Sequence, residues 1–196
     1  MTTLDYQKKI ISLLSEVERP GIDNLIKFIQ DSDYLTTAQC HSHHKCPHGL
    51  MMHSLEVLDT MLQDNLAGIP RESLILTALC HDLGKARLDG RKVSSGGHPQ
   101  RSIAILNQCG VELTDDERDA ILNHHPKGFG DWFANAFNSP LQMLLQIGDG
   151  GVHRGEEILC RGLDAETAQL RHIVLHATGG VVGQKEVAAT QCLDPI

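Results

Sequence analysis

The chain has 196 residues, 41% of them hydrophobic, and a formal charge of −8 from 25 acidic and 17 basic side chains. That length suits one domain around one core. The acidic balance argues against a dedicated tracker of nucleic-acid backbone, although it leaves a nucleotide or short strand open as a substrate. No apolar run approaches the roughly 20 residues that span a bilayer, and the first residues lack a signal-peptide core. The reading is a soluble, cytoplasmic protein. Its six cysteines, at 40, 46, 80, 109, 160 and 192, contain no CxxC pair, so a disulfide framework is not expected.

In chain order, Leu4, Ile10, Ile11 and Leu14 give a first amphipathic helix over Thr3 to Ser15, broken by Pro20-Gly21. Ile22, Leu25, Ile26 and Ile29 fall at helical spacing in a second. Asp31 to His48 is polar, rich in histidine and without period, which reads as a loop covering something. Leu55, Leu58, Met61, Leu62 and Leu66 form one face of a third helix over Leu50 to Leu66, stopped by Gly68-Ile69-Pro70. A fourth carries Leu74, Ile75, Ala78 and Leu79 and ends at His81-Asp82. Gly84 to Gly97 reads as a mobile, glycine-rich basic loop without strands.

His98 and Pro99 open a fifth helix, closed by Gly110. Thr114 and Glu117 form a capping box for a sixth, expected to run to His124-His125 before Pro126. Lys127 to Asn138 is a loop whose Phe129, Trp132, Phe133 and Phe137 form a satellite core or a base-stacking surface. Ser139-Pro140 caps a seventh helix, expected to end at Asp149. Asp164 caps an eighth with Leu170, Ile173, Val174 and Ala177 inward. The expected architecture is therefore all-α, seven to eight helices, in one domain over 1–182 with a tail over 183–196.

The chemistry concentrates where the fourth helix stops. An apolar run gives way to His81, Asp82, Gly84 and Lys85. Burying charge without a partner is expensive, and a helix C-terminus favours a cation, so a metal ion is a natural compensating group. Twelve histidines supply ligands for one.

The order His53, then His81-Asp82 with Lys85, then Asp149 resembles the HD superfamily of metal-dependent phosphohydrolases, over roughly Tyr34 to Gly151. His98 and His124-His125 are similar to its dinuclear subset. The stretch His43-His44 and Gly49 to Val57 looks like HD-type 3′→5′ exoribonucleases and relaxase HD modules. Those families tend to have a glycine pair where this chain has His48-Gly49.

The resemblance implies a helical HD bundle and two metals. His53, His81, Asp82 and Asp149 would hold the first. His98, His124 and His125 would hold the second, with Asp82 bridging. A bridging carboxylate suits metals about 3.5–4 Å apart and an activated hydroxide between them. Mixed imidazole and carboxylate donors suit Fe, Mn, Co, Ni or Zn. By the same resemblance Asp82 and Lys85 are catalytic and Lys85 contacts a substrate phosphate. Arg101 could do likewise, or be a surface salt-bridge residue. His44 either lines the site as a substrate contact or belongs to an ordinary loop.

The implied function is phosphoester hydrolysis, of phosphodiesterase or phosphatase type, on a nucleotide, a short oligonucleotide or another phosphorylated small molecule, without a membrane partner. Two other functions fit the same residues: a di-iron oxygenase of a small polyol or phosphonate, and a non-hydrolytic nucleotide sensor. Cys40 and Cys46 fit no usual zinc spacing.

Overall fold

A computed structural model of the chain describes residues 3–39, 46–125 and 139–161, with the stretch after 150 described by its backbone alone. The described residues form α1 (Thr3–Ser15), α2 (Ile22–Asp31), α3 (Gly49–Gln63), α4 (Arg71–Cys80), a 3-10 turn (Leu83–Lys85), strands β1 (Arg87–Leu88) and β2 (Arg91–Lys92), α5 (His98–Cys109), α6 (Asp115–Leu122) and α7 (Pro140–Arg161). Apart from the two-residue strands, this is an all-α fold. The chain divides into a unit Met1–Glu156, which holds everything discussed below except the end of α7, and a unit Glu157–Ile196. The expected eighth helix, the tail 183–196 and the aromatic loop 127–138 lie outside the described residues. None of the described helices is long and apolar enough to cross a membrane.

The core forms around α4. Every residue from Ser73 to Cys80 is buried, the signature of a helix covered on all sides. Helices α1, α3 and α6 pack against it. The fully buried Tyr34 donates from its hydroxyl to the carbonyl of Leu79 at 2.7 Å, fastening the segment after α2 across the end of α4. Burial drives the Tyr34 pKa up, so that hydroxyl keeps its proton.

Helix ends depart from the sequence reading in three places. Helix α3 stops at Gln63 rather than Leu66, and Leu66 is 64% exposed. The reason is Asn65, whose side chain accepts from the Ile69 N–H and donates to the Ile69 carbonyl, both at 2.9 Å, closing a loop. Helix α6 ends at Leu122, before the histidine doublet. Helix α7 runs through Asp149 to Arg161 instead of ending there.

Gly148 does not terminate α7. A Cβ on it would lie 3.2 Å from Val57 Cγ1 and the Val57 carbonyl. The missing side chain lets α7 approach α3 closely.

Gly84–Gly97 is also more ordered than expected. Arg87 pairs with Lys92 and Leu88 with Arg91, around Asp89 (φ 50°) and Gly90 (φ 74°). Two successive left-handed residues make the primed turn that suits a tight hairpin.

At the start of α3, His48 takes φ 71°, a conformation glycine adopts more easily. Its ring is fixed by a 2.7 Å contact of Nδ1 with the Leu35 carbonyl. The expected caps hold elsewhere. Thr114 and Glu117 complete their capping box, and Ser139 Oγ accepts from the Gln142 N–H at 3.2 Å.

Candidate metal centre

Helix α4 delivers His81 and Asp82 from the core. The His81 N–H still bonds back to Thr77 O at 3.0 Å, and the chain then tightens into the 3-10 turn. Gly84 is required by packing. A Cβ there would collide with the His98 carbonyl and lie 2.7 Å from Arg101 Cβ. The turn therefore sits flush against the first turn of α5, where His98 stands.

His53 comes from the buried face of α3 and Asp149 from α7 across the contact that Gly148 permits. His53 Nε2 is 3.3 Å from His81 Nε2 and 3.1 Å from Asp149 Oδ1. Asp82 Oδ2 lies 3.4 Å from His81 Nε2 and 3.8 Å from His53 Nε2. The other carboxylate oxygen, Oδ1, faces a second group. It lies 3.2 Å from His98 Nε2 and 3.6 Å from His124 Nε2. His98 Nε2 in turn is 3.2 Å from His124 Nε2 and 3.0 Å from His125 Nε2. His125 Nδ1 is 3.7 Å from Asp149 Oδ2.

Two rings are oriented by the backbone. His81 Nδ1 donates to Ala78 O at 2.8 Å and His124 Nδ1 to Ile121 O at 2.7 Å. A ring that donates from Nδ1 presents a lone pair at Nε2, the arrangement found in metal-bound histidine. Ligand atoms each about 2.0–2.2 Å from one ion stand roughly 3.0–3.5 Å from each other. The nitrogen–nitrogen separations fall in that range.

A single proton at His98 Nε2 can serve only one of its three contacts well. Asp82 Oδ1 is buried and accepts no well-formed hydrogen bond. Such convergence of acceptors calls for a cation. Three overlapping sets could each hold a metal ion: Asp82 with His98, His124 and His125; His53, His81 and Asp82; and His81, His124 and Asp149.

The electrostatics agree. Burial lowers the pKa of His53 against the pull of Asp149. Burial, reinforced by Lys85 and the neighbouring rings against Asp82, brings His98 down to about 4. Burial and His124 bring His125 to about 4 as well. These rings are neutral at neutral pH, the form that binds metal.

Burial works to raise Asp82, but the neighbouring His81 and His124 rings and the charge of Lys85 outweigh it, holding the carboxyl well below its usual range. Burial likewise works to lower His81, and the Asp82 and Asp149 carboxylates override it, raising that ring. The same field acts on any cation lodged among the rings.

The cluster is sealed at one end and open at the other. His53, His81 and His124 are buried, whereas the side chains of His98 and His125 are 23% and 47% exposed. Lys85 Nζ lies beside the cluster, 2.6 Å from Asp82 Oδ2. Gln39 donates to the same oxygen at 2.6 Å and accepts from Lys85 Nζ at 3.3 Å.

The seven histidines and aspartates expected as ligands thus come from five separate segments to one place, with Lys85 at their edge. Arg101 is nine-tenths buried, its Nε donating to Gly84 O at 2.7 Å and its Nη1 to Gly96 O. His44 lies outside the described residues. Cys80 and Cys109 are free thiols.

Sequence reasoning missed Gln39, a lone amide in an aperiodic loop with no local signal, and Ser102, which reads as an ordinary helix residue. Comparison of the chain with models of known protein families, with curated proteins and with solved structures gives no match.

Proposed function

We propose that the cluster is a dinuclear metal centre and that the protein is a metal-dependent phosphohydrolase of the HD type. The observation that carries this reading is Asp82. Its two oxygens face two different groups of imidazoles, Oδ2 toward His53 and His81 and Oδ1 toward His98 and His124. A carboxylate placed this way suits a bridge between two ions.

One metal would rest on His53, His81, Asp82 and Asp149, and the other on His98, His124, His125 and Asp82. Bound divalent metals would supply Lewis-acid activation of water and of a phosphoryl oxygen. Lys85 would bring an ammonium to the edge of the site, where it stabilises an anionic phosphate oxygen. The exposed rim at His98 and His125 is where substrate would enter. The substrate class is a phosphoester of a nucleotide, a short oligonucleotide or a related phosphorylated small molecule.

The test is turnover of bis-p-nitrophenyl phosphate after loading with Mn, Fe, Co or Ni in turn. Hydrolysis with at least one metal is expected, and its absence with all four would favour a non-hydrolytic binding role. The mixed imidazole and carboxylate set also suits iron. Oxygen uptake by the iron-loaded protein with a small polyol or phosphonate would replace hydrolysis with an oxygenase activity.

A further inference from the structure

Resting on the dinuclear reading above, we infer that Ser102 and Arg101 form a polar staple that sets His98 against Asp82 and so completes the second metal position. Neither side chain points a group at the ring cluster through any described hydrogen bond. Both act on the backbone of the turn that carries the first-site residues. The Gly84 N–H donates to Ser102 Oγ at 2.8 Å, and Ser102 Oγ donates onward to the His81 carbonyl at 2.9 Å. Arg101 Nε donates to the Gly84 carbonyl at 2.7 Å, and its Nη1 reaches Gly96 O, just before α5 begins.

The N–H and carbonyl of Gly84 are therefore both held by adjacent residues of α5, one turn beyond His98. Ser102 is fully buried. Gly84 has no room for a side chain at this contact, and the staple is the polar half of the same close approach. Of the seven candidate ligands, only His98 belongs to α5. Loosening the staple moves His98 relative to Asp82, while His53 and Asp149 stay on α3 and α7 and His81 stays tied to α4 through the Thr77 carbonyl. Ser102 and Arg101 are positioning residues, and their effect falls on one metal position.

The experiment is Mn(II) titration of the full chain, followed by electron paramagnetic resonance, for the natural sequence, Ser102→Ala and Arg101→Lys. Arg101→Lys keeps a cation but loses the fork that reaches two carbonyls. The natural chain is expected to bind two Mn(II) and to give an exchange-coupled signal. Each variant should keep the first ion with unchanged affinity and bind the second about 10–100-fold more weakly, the usual consequence of losing an outer partner. At equal loading its signal should be that of isolated ions. Two ions bound with natural affinity and coupling in both variants would overturn the staple and leave the dinuclear reading intact. Equal weakening of both ions would also overturn it, because that is general destabilisation. If the natural chain binds no Mn(II), the dinuclear reading fails and the staple's role with it. Should Ser102→Ala not fold, Arg101→Lys decides by the same criteria.

Discussion

The two ends of α4 each hold a cluster of buried charge, and the two clusters are solved differently. At the first turn, Arg19 donates to Glu117 at 2.6 and 2.8 Å and to Glu72 at 2.7 Å. Glu117 is fully buried and also closes the Thr114 capping box. One guanidinium fork meets two carboxylates; it neutralises the buried Glu117, while Glu72 remains partly in solvent. At the last turn, His53, His81, His98, His124 and Asp82 turn acceptor atoms toward one another, with Lys85 as the only described ammonium bonded to Asp82. The first cluster needs nothing from outside. The second gathers ligand atoms that could hold a metal ion.

The comparison can be broken most severely at Asp82. Asp82→Ala removes the residue shared by both sets and should lower phosphodiester turnover at least about 10²-fold, since loss of a mere outer partner already costs 10–100-fold in affinity or activity. Bound metal should fall with it, and unchanged metal content would separate Asp82 from the centre.

Next in size is Arg19→Ala. It strands the buried Glu117 carboxylate and should cost about 3–5 kcal/mol in urea unfolding without changing metal content. A loss of metal there would mean the two clusters are coupled.

A smaller effect concerns pH. Burial acts to raise the Glu117 pKa, but hydrogen bonds from Arg19, Ser73 and Thr114 outweigh it and lower the pKa from its ordinary 4.5. A depressed carboxylate contributes stability that is fully present above its unfolded pKa and is lost as pH falls through the folded value. The stability gap between the natural chain and Glu117→Gln should therefore be constant above about pH 5.5 and shrink below about pH 4.5. A gap that widens in acid would reverse the assignment. The smallest change is expected for Glu72→Ala. Glu72 is 38% exposed, so its loss should cost no more than about 1 kcal/mol by the same unfolding assay.

What could be read from the sequence was what is local. His81-Asp82 stands out because an apolar helix ends in charge, and Thr114 and Glu117 because a capping box joins residues only three positions apart. Asp149 was expected at a helix end, whereas it sits within α7, brought to His53 by the bare Cα of Gly148. Asp89-Gly90 is a hairpin signal that the surrounding glycines and basic residues masked.

The partners that complete the two clusters carry no such signal. Arg19 and Glu117 are 98 positions apart, and Gln39 and Asp82 are 43 apart. Such pairs are chosen by packing, and nothing in either neighbourhood specifies them. Ser102 and Arg101 belong to the same class, since their role depends on how closely α5 meets the turn at Gly84.

The central claim is that the histidine and aspartate cluster is a metal centre, and elemental analysis of protein purified without chelator tests it most directly. The account predicts about two transition-metal ions per chain, the count expected for a dinuclear site, removed by prolonged chelation and not retained by Asp82→Ala. Protein that carries none, and takes up none from Mn, Fe, Co, Ni or Zn after purification, would contradict it.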